Sequence, residues 1–296
     1  PVALEQGITE LQGRSFNNSH RANAKAKVHA QQADVVQKMR GKNVSFSQGY
    51  TFDTVLNGFA ATVKADDLDK LVEIPGVTLV EPDTIVYASE DITTSTDANF
   101  EQISPMMNTS NSFLGIEKLW DEGIEGQGIK VAVLDTGIDA DHPEFQGIYK
   151  GGKNFVPHTG SDYARPRADD DASETSPLDR PSNRPEFNAN GNSFYTSHGT
   201  HVAGTIAAIG ANEYGIKGIA PKVDLYMYRV LGAYGSGSTS GIIAAIETAV
   251  LEEMDVINLS LGGGSNSETD GSSFAINNAM MAGTIAVSAT GNSGPN

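Results

Sequence analysis

Between Ile129 and Ala289 the chain keeps to one rhythm. Short apolar runs at Ile129–Leu134, Val223–Leu231, Asp255–Leu261 and Thr284–Ala289 read as strands, and Gly241–Met254 and Ser273–Ala282 between them read as helices. Strands this apolar need cover on both faces, and strand–helix alternation supplies it only in a parallel, doubly wound α/β sheet. A nucleotide-binding domain shares that alternation. Here, however, no Gly-x-Gly-x-x-Gly follows the first run and no Gly-x-x-x-x-Gly-Lys-Ser/Thr occurs anywhere, so nothing supports phosphate cradling.

Asp135-Thr136-Gly137 closes the first run, at the carboxyl end of a strand, where open α/β sheets place their sites. His198-Gly199-Thr200-His201-Val202-Ala203-Gly204 opens a helix of small residues. Alone, the first word reads as a turn and the second as a capping or surface histidine. His198 and His201, three apart and without further His or Cys, make a poor zinc site. Taken in order, an Asp and then a His at the ends of core elements are two members of an Asp–His–Ser triad. With these words the chain resembles the subtilisin-like serine proteases, the subtilases. A third word, Thr290-Gly291-Asn292-Ser293-Gly294, follows the last strand, and the wording there and at Tyr228–Gly232 is similar to the larger extracellular subtilases that carry a protease-associated domain.

The resemblance implies Asp135 and His198 as catalytic residues and Asn292 as the side-chain donor to the oxyanion. It implies that Gly235-Ser236-Gly237 and Ser260-Leu261-Gly262 flank a bound peptide as β-strand rails, with Leu261, Ala289 and Gly291 bordering an apolar pocket. The family's serine lies in a Gly-Thr-Ser-Met-Ala-like word, which these 296 residues do not contain. Ser236, Ser238, Ser240 and Ser260 lack that context. The chain is therefore expected to be a proform fragment, inactive by itself, with its serine beyond Asn296. A catalytically dead, protease-like binding or inhibitor protein is the alternative.

The first ninety residues differ in texture. Ala22–Met39 carries apolar residues at helical spacing, Val44–Tyr50 and Asn57–Val63 alternate as strands, Asp66–Ile74 reads as a short helix, and Val77–Tyr87 reads as a last strand. With a further strand upstream or at Val2-Ala3-Leu4, this order would be a small α+β ferredoxin-like domain. The segment resembles the inhibitor-type propeptide of subtilases in Leu56–Ala60 and Ile74–Asp83. That likeness implies an intramolecular inhibitor and folding aid, cut near Ser89–Glu90. The expected domains are propeptide 1–89, a Ser/Thr/Asp-rich linker 90–111, and the N-terminal part of the peptidase domain from 112 to 296.

The formal charge is −17, yet residues 1–90 carry 9 Lys+Arg against 11 Asp+Glu, so nearly all of the excess lies in the remainder. An acidic body of this kind opposes nucleic-acid binding. No window approaches a membrane-spanning run, and the absence of cysteine excludes a disulfide scaffold. Pro1 starts in mid-sequence, as if upstream residues were removed or omitted. The acidic body suggests a secreted protein, extracellular or of the cell envelope, whose partners the resemblance gives as protein or peptide substrates. The stretch Pro157–Tyr195, with Asp169-Asp170-Asp171, reads as an inserted, solvated loop in which carboxylates could hold calcium. The resemblance offers another structural calcium site at Glu144 with the loop around Asn212.

Overall fold

The computed structural model describes residues 18–89, 106–157, 167–263 and 267–291. They fall into two compact units that do not follow the order of the chain. The first unit draws on Pro1–Ile85, Ser238–Glu253 and Gly264–Ala286; the second draws on Val86–Gly237, Met254–Gly263 and Val287–Asn296.

In the first unit, helix α1 (Asn18–Gly41) precedes an antiparallel pair, β1 (Phe46–Phe52) and β2 (Gly58–Val63), and a short helix α2 (Leu68–Val72). Met39, Val44, Leu71 and Ile74 form its small core, with Val35, Phe46, Phe59 and Val63 packed around them. The same unit contains α6 (Thr239–Leu251), whose Ile242, Ile243, Ala245, Ile246 and Ala249 are buried, and α7 (Gly271–Met281).

The strand expected over Val77–Tyr87 is shorter: only Ile85–Ala88 forms one, β3, and it pairs with neither β1 nor β2. Polar residues before it serve helix ends instead. Glu81 accepts the Gly271 N–H at the start of α7 (3.0 and 3.1 Å), and Asp83 accepts from Ser240 N (2.9 Å) and Oγ (2.6 Å) at the start of α6. Carboxylates at these positions satisfy orphan helix N–H groups and meet the positive end of the helix dipole. The proposed extra strand at Val2–Leu4 lies outside the described residues.

In the second unit a five-stranded sheet runs β10–β8–β4–β6–β5, formed by Ile285–Ser288, Val256–Leu259, Lys130–Asp135, Asp224–Arg229 and Tyr149–Asn154 respectively. Central β4 is parallel to both neighbours, with Asp135 beside Arg229 and Val131 beside Val256. Val131, Val133, Leu225 and Met227 pack with Ala203 and Ala207 of α5 (His198–Ala207), whose small side chains let the helix lie close to the sheet. The apolar run at Thr284–Ala289 forms β10 as expected, with Ile285 and Val287 half exposed among the described residues. One expectation changes here. The segment read as linker over 90–111 contains the start of α3 (Met106–Leu114), which α4 (Ile116–Asp121) follows; Asn111 in α3 is buried and donates to Lys217 O (3.1 Å). A tertiary anchor, not an apolar period, orders that end.

Candidate active site

Asp135 ends β4 fully buried, and His198 is the first residue of α5. His198 Nδ1 lies 2.7 Å from Asp135 Oδ1. A carboxylate offers only acceptors, so Nδ1 carries the proton and the ring tautomer is set. The same Oδ1 accepts the Thr136 N–H at 2.7 Å.

Glycines let these two elements approach. Gly199 N donates to Thr136 Oγ1 (2.8 Å), and a Cβ on Gly199 would fall on the Gly137 carbonyl oxygen. Gly137 itself has φ +130°, and a Cβ there would meet the Ser173 and Glu174 backbone at 2.7–2.8 Å. Both positions therefore require glycine, one for closeness and the other for closeness and backbone conformation.

The two expected rails flank one strand. A three-stranded sheet runs β7–β3–β9, with β7 at Ser236–Ser238 and β9 at Leu261–Gly263. Val86, Tyr87 and Ala88 stand antiparallel to Gly263, Gly262 and Leu261, and Ser89 N donates to Ser260 O at 3.0 Å. On the other side, a Cβ added at Gly235 would sit 3.7 Å from the Ala88 Cβ, while one at Gly237 would strike the Val230 carbonyl. The segment before Glu90 thus fills a strand position whose walls are Gly235–Gly237 and Ser260–Gly262. Ala289 and Gly291 are exposed just after β10, and Ala289 N is tied to Leu259 O at 3.0 Å; Leu261 is buried. Asn292 and Glu90 lie outside the described residues.

Glu144 and Asn212 meet, but in a way that does not suit calcium. Glu144 accepts from Asn212 Nδ2 (2.6 Å), Gly210 N (2.7 Å) and Ala211 N (3.1 Å). Asn212 Oδ1 is turned away, accepting the Tyr214 and Ile216 N–H groups at 3.1 and 3.0 Å. Flipping the amide would set its NH2 against those two donors, so the orientation is determined by its partners. A cation needs converging oxygens, whereas this carboxylate faces N–H groups. Burial pushes Glu144 up, but the Asn212, Ala211 and Gly210 donors outweigh it and hold the group below its ordinary range. In the polar loop, Asp171 Oδ1 is taken by Ser173 N (3.1 Å) and by Arg167 (3.3 Å). Among the described residues no group of three or more His, Cys, Asp or Glu is placed to hold a metal.

Sequence comparison decides the family. The subtilase family model matches residues 126–296, and the peptidase inhibitor I9 model matches residues 4–89. The chain belongs to the subtilase family. It is 38% identical over 250 residues to the minor extracellular protease Vpr of Bacillus subtilis (strain 168), covering 83% of this chain and 28% of that protein. It is 35% identical over 239 residues to subtilisin E of the same organism, covering 81% and 50%. The thermostable alkaline protease of Halalkalibacterium halodurans is 38% identical over 183 residues, covering 62% and 41%. The chain thus spans half or less of the length of these relatives. An α/β subtilase domain preceded by an inhibitor-type propeptide is the architecture this match carries. Among the described residues, no helix is long and apolar enough to cross a membrane.

Proposed function

We propose that this chain is the proform segment of a serine endopeptidase, in which Asp135 and His198 act with a serine supplied by residues beyond Asn296. The observation that carries the reading is the buried 2.7 Å bond between His198 Nδ1 and Asp135 Oδ1. With Nδ1 committed to Asp135, Nε2 is the ring atom for proton transfer. It takes the serine hydroxyl proton as Oγ attacks the scissile carbonyl, and returns it to the amine nitrogen as the C–N bond breaks. Asp135 holds the ring through Nδ1 and stabilises the imidazolium as it forms. Asn292 donates its amide to the oxyanion, and Gly291 and Ala289 with Leu261 border the pocket for the residue before the cut.

Substrate peptides would add as the strand that Val86–Ala88 occupies between β7 and β9. Residues 1–89 then act as the chain's own inhibitor, released after cleavage at Ser89–Glu90, and the peptidase part follows with helix α3 near its start. The acidic surface and the extracellular designation of Vpr support a site of action outside the cell.

The test is expression of the precursor including its downstream sequence. Hydrolysis of a peptide ester that a serine-directed phosphonate blocks, and that His198→Ala abolishes, is the expected result. A processed, folded product that binds peptides yet hydrolyses none would make it a protease-like binding protein instead.

A further inference from the structure

Helix α5 begins without the usual cap: Ser197 stands at the capping position, and its side chain makes no bond to the helix. The exposed first-turn N–H groups of such a helix need another acceptor. Glu174, on the polar stretch that reads in sequence as a solvated insertion, supplies one. Its Oε1 accepts Thr200 N and Thr200 Oγ1, both at 2.9 Å, and its Oε2 accepts Thr196 Oγ1 at 2.6 Å. One carboxylate thereby grips the residues two before and two after His198.

The backbone around Glu174 also braces the other half of the pair. Ile138 N donates to Ala172 O (2.9 Å), and Ile138 bridges to Ser173 in parallel fashion. It is this backbone that would collide with a side chain at Gly137. Thr200 Oγ1 accepts the Asp139 N–H at 2.9 Å, joining the loop after Asp135 to the same clamp. The segment is held by hydrogen bonds of its own. Arg167, its side chain 1% exposed, donates to Ser173 O (2.7 Å), Glu174 O (2.9 Å) and Asp179 (3.0 Å). Thr175 N and O bond to Thr196 Oγ1 and N at 2.8 and 3.0 Å.

We propose that Glu174 is a positioning residue for His198, holding the start of α5 against the Asp135 turn so that the imidazole meets its carboxylate and delivers its proton in line. This rests on the serine-peptidase reading above. Since reacting groups displaced by about an ångström lose on the order of a hundredfold in rate, Glu174→Ala in the full precursor should lower kcat about ten- to a hundredfold. KM should stay within about twofold, because the substrate rails are untouched. Glu174→Gln keeps an oxygen for Thr200 and should restore kcat to within about threefold of the parent.

The direct signature is the downfield Nδ1–H proton of His198 in the nuclear magnetic resonance spectrum. It should be sharp in the parent and in Glu174→Gln, and broadened or lost in Glu174→Ala at a temperature where that variant is still folded. Should Glu174→Ala not fold, Thr200→Ser and Thr200→Val carry the test, the first near parental kcat and the second reduced. Parental kcat in Glu174→Ala, an effect on KM alone, or a Gln variant as impaired as Ala would overturn the proposal. A parent with no peptidase activity would refute the reading of function instead, and the Nδ1–H signal would still decide whether Glu174 positions the ring.

Discussion

Glu247 is the residue on which the propeptide turn at 53–55 hangs, and replacing it by Ala should loosen that turn measurably. The side chain is 7% exposed and accepts Asp53 N (2.9 and 3.2 Å), Thr54 N (3.0 Å) and Val55 N (3.1 Å). Truncation strands three N–H groups. A stranded donor that stays dry costs about 1–3 kcal/mol, and water relieves those that reach it. Val55 is 1% exposed while Asp53 and Thr54 are half-buried, so one full penalty and two partial ones give about 2–4 kcal/mol. Amide hydrogen exchange at 53–55 in the whole chain reads this directly: protection should fall by about 30- to 1,000-fold. A change below about threefold would refute the reasoning.

The pH dependence of the same contact has a definite sign. Burial pushes Glu247 above its ordinary 4.5, against the pull of its N–H donors. The packed form therefore holds more protons than the opened one just above that value, and packing strengthens as pH falls towards 4.5. Burial also pushes Asp53 up, but its bonds to Lys25, His29 and Thr54 outweigh this and leave it below 3.8. Its contribution is complete above 3.8 and is lost as pH falls further. Glu247→Gln should erase the first limb and keep the second.

Asn292→Ala in the complete enzyme should lower kcat about 10²–10³-fold with KM little changed, a magnitude taken over from subtilisin itself; an equal loss in KM would argue against an oxyanion role. Chelation should leave thermal unfolding unchanged as far as the Glu144–Asn212 clip is concerned, and a fall restored by calcium alone would contradict its donor geometry. Gly199→Ala should abolish turnover and destabilise by about 1–3 kcal/mol in urea unfolding, since its Cβ meets backbone that cannot give way; near-parental turnover would show that the two catalytic elements need not lie so close.

Four of the sheet's five strands are legible in the sequence because their signals are local, whereas the polar, glycine-bearing Tyr149–Asn154 of β5 carries no such signal. Val131–Leu134 is apolar without interruption, as a strand covered on both faces must be, and α6 shows buried residues along most of its length. What escapes such reading depends on partners distant in the chain. Val77–Tyr87 reads as one strand but forms one only from Ile85, and Glu81 and Asp83 are engaged by helix ends 190 and 157 residues away. No local period encodes that.

The candidate site divides along the same line. Asp135 and His198 stand out because short words surround them, and those words exist for steric reasons: Gly137 and Gly199 are where two backbones touch. Glu174 has no such word. It sits in a run of Asp, Ser and Pro that reads as solvent-facing, and its part emerges only when Thr196, Thr200 and the Asp135 turn close around it. Glu144 and Asn212 show the converse. Residue types that suit calcium lie side by side, yet the two N–H groups that hold Asn212 Oδ1 turn the amide's donors onto the carboxylate. Residue identity narrows what a position can do, and the direction of its hydrogen bonds decides which of those things it does.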